Sequence, residues 1–161
     1  MPAYNVIPEL ITGLSLIEAG TTGITTADSI KKAFDYAPNA ITPLPCFLNF
    51  YERSEYLWPR ESNGIREGVH HIRALAVIAL QADSAQAERV ARPLMGSFVD
   101  RLDQHKTLDD YTTSCEVIEA AVESAEYGPV SLHQQEQPFL GVSFAVRIRT
   151  FETVVYRSTG V

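Results

Sequence analysis

Lysine and arginine are missing from residues 107–146. Seven acids stand in that stretch: Asp109, Asp110, Glu116, Glu119, Glu123, Glu126 and Glu136. The rest of the chain holds thirteen acids against thirteen bases, so the whole net charge of −7 sits in one segment. Nucleic-acid binding needs phosphates neutralised by Lys or Arg, and a groove of that kind is excluded there. What remains is a solvated acidic face, or a surface that repels phosphate or meets a basic partner. Cysteine is scarce as well. Cys46 and Cys115 lack metal-type spacing and read as small buried apolar groups, with nothing that asks for an oxidising compartment. The chain does not open on a basic stretch followed by a long apolar run. No stretch approaches the roughly 20 apolar residues of a membrane span. The expectation is a soluble protein made in the cytoplasm.

Chemistry-bearing motifs are also lacking. The sequence has no GxGxxG, no GxxxxGK[ST], no HExxH and no GxSxG. His70 and His71 are the one adjacent pair of histidines, but neighbours on a strand point to opposite faces, so one metal cannot easily take both. Glu67 near His71 is an acid–base pair common in any sequence, and Cys46 is a nucleophile only where the fold brings it a histidine. A small enzyme using His71, Glu67 or Cys46 is the lesser alternative. The main expectation is no catalytic residue, no metal and no cofactor.

What is present is an ordinary globular composition, with 45% apolar and 20% charged residues over 161 positions, the size of a single domain. Residues 5–19 read as a first helix, with Ile7, Leu10, Ile11 and Leu14 near helical spacing and Pro8 and Glu9 suited to a first turn. Residues 24–36 read as a strand, although Asp28 could cap a short helix. A strand follows at 44–51, then a long polar connection at 52–66. In residues 69–80 the set His70, Ile72, Ala74, Ala76, Ile78 and Leu80 is almost wholly apolar and points at the core. Asp83 and Gln86 have capping-box spacing. They open a helix over 84–103 whose stripe is Ala87, Val90, Ala91, Leu94, Phe98 and Leu102, with Pro93 expected to kink it. Residues 115–127 divide the signals. Their Ala and Glu content favours helix, and Tyr111, Cys115, Ile118, Val122 and Ala125 have helical spacing. In residues 139–151, Leu140, Val142, Phe144, Val146 and Ile148 alternate with a face that ends in exposed Arg147 and Arg149. Residues 152–161 read as a tail, mobile or bound to a neighbour. Tyr56, Leu57 and Trp58 stand in the polar connection, either anchoring it on its own core or forming a hot spot for a partner.

The order of these pieces resembles the tail terminator (tail completion) proteins of long-tailed phages. The resemblance rests on KKAFDYAP, LPCFLNFYE, REGVHHIRALAVIAL, AERVARPLMGSFVDRL, EYGPVSL and PFLGVSFAVRIRTFE in that sequence, and it covers most of the chain. With the elements read above, it implies one α+β domain: a mixed, mostly antiparallel sheet with helices packed on one face. It implies strand at 115–127, against local propensity. It also implies a virion protein of the tail–neck region, not an enzyme, that forms a homo-oligomeric ring, a hexamer. That ring would cap the tail tube protein and meet a head–tail connector or stopper, while DNA passes without specific binding. Another neck ring, itself a connector or stopper, is the nearest alternative. Interface residues are then expected at Tyr56, Leu57, Trp58, Arg147 and Arg149, with an acidic lumen or docking face at Glu116, Glu119, Glu123 and Glu126.

Overall fold

The computed structural model describes residues 5–36, 38, 41, 43–57, 64–130 and 138–153. Trp58, residues 59–63 of the expected connection and residues 154–161 of the expected tail lie outside them.

Helix α1 spans Val6–Glu18. Its buried apolar stripe is Val6, Leu10, Leu14 and Ile17; Leu10 and Leu14 are as expected, while Val6 and Ile17 take the places expected of Ile7 and Ile11, which lie at its edge. Its first turn is tied down by Glu9, whose carboxylate accepts the backbone N–H and hydroxyl of both Thr113 and Ser114 at 2.7–3.0 Å. Burial works against that carboxylate, but the four hydrogen bonds prevail and hold its pKa at about 2. The helix ends where Arg101 donates its Nε–H to the Ile17 carbonyl, 2.7 Å away. Gly20 makes room for this contact, because a Cβ there would lie 2.2 Å from the guanidinium.

Five strands follow: β1 Lys32–Phe34, β2 Cys46–Leu57, β3 Ile65–Leu80, β4 Glu116–Val130 and β5 Phe139–Thr153. They form one sheet in the order β1-β2-β3-β5-β4, with β1 parallel to β2 and every other pair antiparallel. Helix α2, Ser84–Gln104, and α1 both cover the same face. The protein is thus a single-domain α+β fold with a mixed sheet and helices on one face, as the sequence implies. The α2 stripe buries the six residues expected of it, and the helix runs on through Pro93. Phe98 from α2, Phe47 from β2 and Phe144 from β5 meet at the centre, with ring centroids 4.7–5.9 Å apart. On the opposite, outer face a smaller apolar cluster of Phe34, Cys46, Leu48, Leu75, Val77 and Phe139 covers one end of the sheet.

Several expectations are corrected. Of residues 24–36 only Lys32–Phe34 is strand. Before it the Ser29 hydroxyl bridges the Thr25 carbonyl and the Gly23 N–H, and such local bonds compete with a ladder. The 52–66 connection is largely a hairpin, because β2 continues to Leu57 and β3 begins at Ile65. Its polarity reflects strands left uncovered by the helices, and a bulge at Glu52 hides the alternation. Asp83 makes no side-chain cap; a 3-10 turn at Gln81–Asp83 leads into α2 instead. Leu80 is exposed, since the register shifts between Val77 and Ala79 and turns the strand end over.

Residues 116–130 are strand, the state the resemblance implies. Two bulges, at Ile118 and Glu123, explain why the segment looks helical. Val117, Ala120, Val122, Ala125 and Tyr127 stand opposite Thr150, Ile148, Val146, Phe144 and Val142, all on the helix-covered face. Each bulge adds a residue, so a period of two becomes alternating steps of three and two, which passes for a helical stripe.

Candidate assembly surface

The outer face of β2, β3, β5 and β4 beyond the apolar cluster is a ladder of charge. Arg149 binds Glu67 on β3 through Nε at 2.8 Å and a terminal nitrogen at 2.7 Å, and it reaches Glu119 on β4 at 3.9 Å. Arg147 pairs with Glu123 at 3.5 Å. His71 stands between Glu55 at 3.9 Å and Glu123 at 4.0 Å. The arginines expected to be exposed are therefore half-buried and paired, and two of the four carboxylates of the expected acidic face, Glu119 and Glu123, meet a guanidinium from the next strand, Arg149 being shared between Glu119 and Glu67. Glu116 and Glu126 are exposed and make no ion pair among the described residues. No segmental count could reveal this, because each partner lies on a strand paired only after folding.

The end of the sheet farthest from β1 is apolar and exposed. Leu57 and Phe151 flank Glu67 in register, and Ile65 is two residues away on β3. Their exposures are 55%, 44% and 47%, and Tyr56 on the other face is 41% exposed. A shallow cavity of about 280 Å³ opens beside them, between Ile65, Phe151, Cys115 and Glu116. The expected partner residues Tyr56 and Leu57 are thus on the surface, but on opposite faces of one strand.

Under the helix-facing side of the same end lies a buried polar cluster. The Ser54 hydroxyl is 2.6 Å from His70 Nδ1, and His70 Nε2 is 2.9 Å from Glu152 Oε2. Thr150 donates its hydroxyl to the same carboxylate oxygen at 2.7 Å, and Arg66 reaches the other at 3.5 Å. Arg66 also lies over the Tyr56 ring, 4.1 Å from its centroid. Gly68 leaves the space the carboxylate fills, since a Cβ there would sit 1.9 Å from Glu152 Oε2. Serine, histidine and carboxylate in hydrogen-bonded series have the order of a nucleophilic relay. Here the Ser54 hydroxyl is also held by Tyr51 at 2.8 Å, and the series ties three strands together. It acts as a clamp at the root of the exposed end. Sequence alternation places His70 on the core face. A polar pair, Thr150 and Glu152, continuing the apolar alternation of β5, was the signal that its partner lay there.

The residues of the enzymatic alternative are not assembled. His71 and Glu67 share the outer face of β3 but have separate partners, and Cys46 is fully buried in the apolar cluster at the other end of the sheet. Burial pushes its thiol up to about 12. The half-buried Cys115 thiol is raised by burial too.

One buried carboxyl stands outside these groups. Glu18, at the end of α1, is wholly buried and accepts the Asn49 amide at 2.7 Å, while its Oε1, Asn49 Oδ1 and Thr21 Oγ1 have no partner among the described residues. Burial pushes the Glu18 carboxyl well above the ordinary range, and the Asn49 hydrogen bond opposes it without prevailing. The folded chain then keeps a proton that the unfolded chain releases, so stability falls as pH rises above the ordinary carboxylate value. Glu18→Gln is expected to remove that slope. It should raise the Tm at neutral pH by roughly 2–4 °C, the shift about 1 kcal/mol makes in a chain of this size. Melting curves at acidic and neutral pH test this, and an unchanged slope would show that Glu18 ionises in place.

No protein-family model matches this chain, and no curated protein matches it.

Proposed function

We propose that this chain is a ring-forming structural protein of a phage neck, similar to the tail terminators. Copies of it, six by the resemblance, cap the tail tube and offer a dock to the head–tail connector or stopper. The observation that carries this reading is the exposed apolar end formed by Leu57, Ile65 and Phe151. Large apolar side chains grouped in water mark a contact with another protein. The order of sequence pieces supports the reading, and so does the strand at Glu116–Val130, which the resemblance implies and local propensity does not. The charge ladder suits the bore of such a ring. Arg53, Arg147 and Arg149 are already engaged by carboxylates and Arg73 lies over the Phe50 ring, so DNA finds few free cations, releases few counterions and slides past.

Replacing Leu57 and Phe151 together with Ser is expected to weaken assembly by more than about 1 kcal/mol, roughly fivefold to tenfold in Kd, with the Tm of the subunit unchanged. Native mass spectrometry of the full chain and electron microscopy of tail tubes read the result. A wild-type chain that stays monomeric and binds neither tube nor connector would end the proposal. Binding to the connector alone would move the chain to a different ring of the neck.

A further inference from the structure

The cavity at the exposed apolar end, about 280 Å³, is lined by Ile65, Phe151 and Cys115, with Glu116 at its rim. Its wall at Thr113 and Ser114 is fixed, because Glu9 on α1 binds the N–H and hydroxyl of both. The cavity is therefore formed before any partner arrives, which lowers the cost of filling it. Thr153, the last residue of β5, lines it too. Residues 154–161 follow Thr153 in the sequence and lie outside the described residues. They open with Val154, Val155 and Tyr156, and they carry one base, Arg157, and no acid.

From this match we infer that residues 154–157 of one copy dock in the cavity of the next, the apolar side chains on Ile65 and Phe151 and Arg157 on Glu116. The inference rests on the ring reading above and names a contact that links its copies. Apolar surface is the first argument. Phe151 and Ile65 are large, exposed and beside the cavity, and an apolar segment placed there removes them from water. Charge is the second. Glu119 and Glu123 already meet guanidiniums, whereas Glu116 is exposed and makes no ion pair among the described residues, so it is left to receive Arg157. The third argument decides whose cavity is filled. To enter its own, beside Thr153 and Phe151, the chain would have to reverse within residues 154–157. That stretch holds no Gly, Pro, Asn, Asp or Ser, the residues that make tight turns, and two of its four residues are β-branched. Four residues reach about 13 Å when extended, enough to cross to an adjoining copy. Each copy then gives its segment to one neighbour and receives another's. Such a contact is heterologous and closes into a ring when the rotation closes.

Cysteine pairing in the full chain tests this. In a Cys115→Ser background, Glu116→Cys is mixed with Arg157→Cys and oxidised; Cys46 is fully buried and stays out of the reaction. A covalent dimer is expected in the mixture. Its yield should exceed that of either variant alone by about tenfold or more, because docking raises the effective thiol concentration. With both cysteines on one chain, the links should run past the dimer into a ladder. In a second measurement, Glu116→Arg is expected to weaken assembly by about twofold to fivefold, the size of an exposed ion pair, and Arg157→Glu on the same chain to restore it. A doubly substituted chain that links within itself would overturn the inference in favour of a segment closing its own cavity. A ladder that stops at two would overturn it in favour of reciprocal exchange about a two-fold axis. Trp58→Cys linking to Glu116→Cys where Arg157→Cys does not would give the cavity to residues 58–63. A discrete oligomer with none of these links would overturn it and leave the ring reading standing. A monomer under every condition would end both.

Discussion

Phe144→Ala is expected to lower the unfolding free energy by about 3–5 kcal/mol, the range for removing a buried aromatic ring. Phe144 is fully buried. In the sheet it stands between Ala74 on β3 and Ala125 on β4, so a large side chain is seated between two small ones. Its ring centroid lies 4.7 Å from that of Phe98 and 5.9 Å from that of Phe47. Those partners sit on α2 and β2, so one ring joins the helix layer to two strands. The wall of the resulting cavity is hydrogen-bonded sheet, which cannot collapse to fill it, and the loss should fall in the upper part of the range. Leu94→Ala, on the same α2 stripe, is expected to cost roughly 2–5 kcal/mol by the same reasoning. Urea titrations should show midpoints shifted at unchanged slope. A loss under about 1 kcal/mol for Phe144→Ala would mean that this trio is not the centre of the core.

Glu152→Ala is expected to cost about 3–5 kcal/mol, the range for breaking a buried charged pair from one side. The substitution leaves His70, Thr150 and the Arg66 guanidinium without the carboxylate that all three approach within 3.5 Å. Glu152→Gln retains the volume and one acceptor oxygen, and should lose less. The pH dependence separates the two effects. Burial by itself would raise the Glu152 carboxyl, but hydrogen bonds from His70 and Thr150 and the nearby Arg66 charge outweigh it, and the net shift is downward. The folded carboxylate therefore holds its proton less tightly than the unfolded one. Its contribution is complete above the ordinary carboxylate value and is lost as pH falls through the depressed one. Wild type should lose stability between neutral pH and about pH 3 more steeply than Glu152→Gln does. Parallel acid profiles would show that the charge on Glu152 contributes nothing. Because the cluster roots the hairpin that carries Leu57 and Ile65, Glu152→Ala should also loosen assembly, whereas substitutions at the exposed end should not affect the Tm.

These two sites differ in how far they can be read from the chain. Phe144 belongs to the β5 alternation and Phe98 to the α2 stripe. Both elements keep one face dry and one face wet along most of their length, so their periods of 2 and 3.6 survive in the amino-acid order. The α+β class and most of the helix-covered core followed from those two patterns and the matching face of β3. The half of β2 beyond the helices has no dry face, so its residues are polar and resemble a loop. In β4 two inserted residues turn an alternating pattern into one that imitates a helix, and only pairing with β5 settles it. The candidate assembly surface lay beyond the sequence for a related reason. His70 and Glu152 are 82 residues apart, as are Glu67 and Arg149, and the acidic segment meets its counter-charges only across a ladder. Composition determined how much charge this protein carries and where along the chain it lies. Sheet register alone decided which carboxylates are neutralised, which histidine is buried and which apolar side chains are left facing water, because each of those outcomes depends on a neighbour supplied by a different strand.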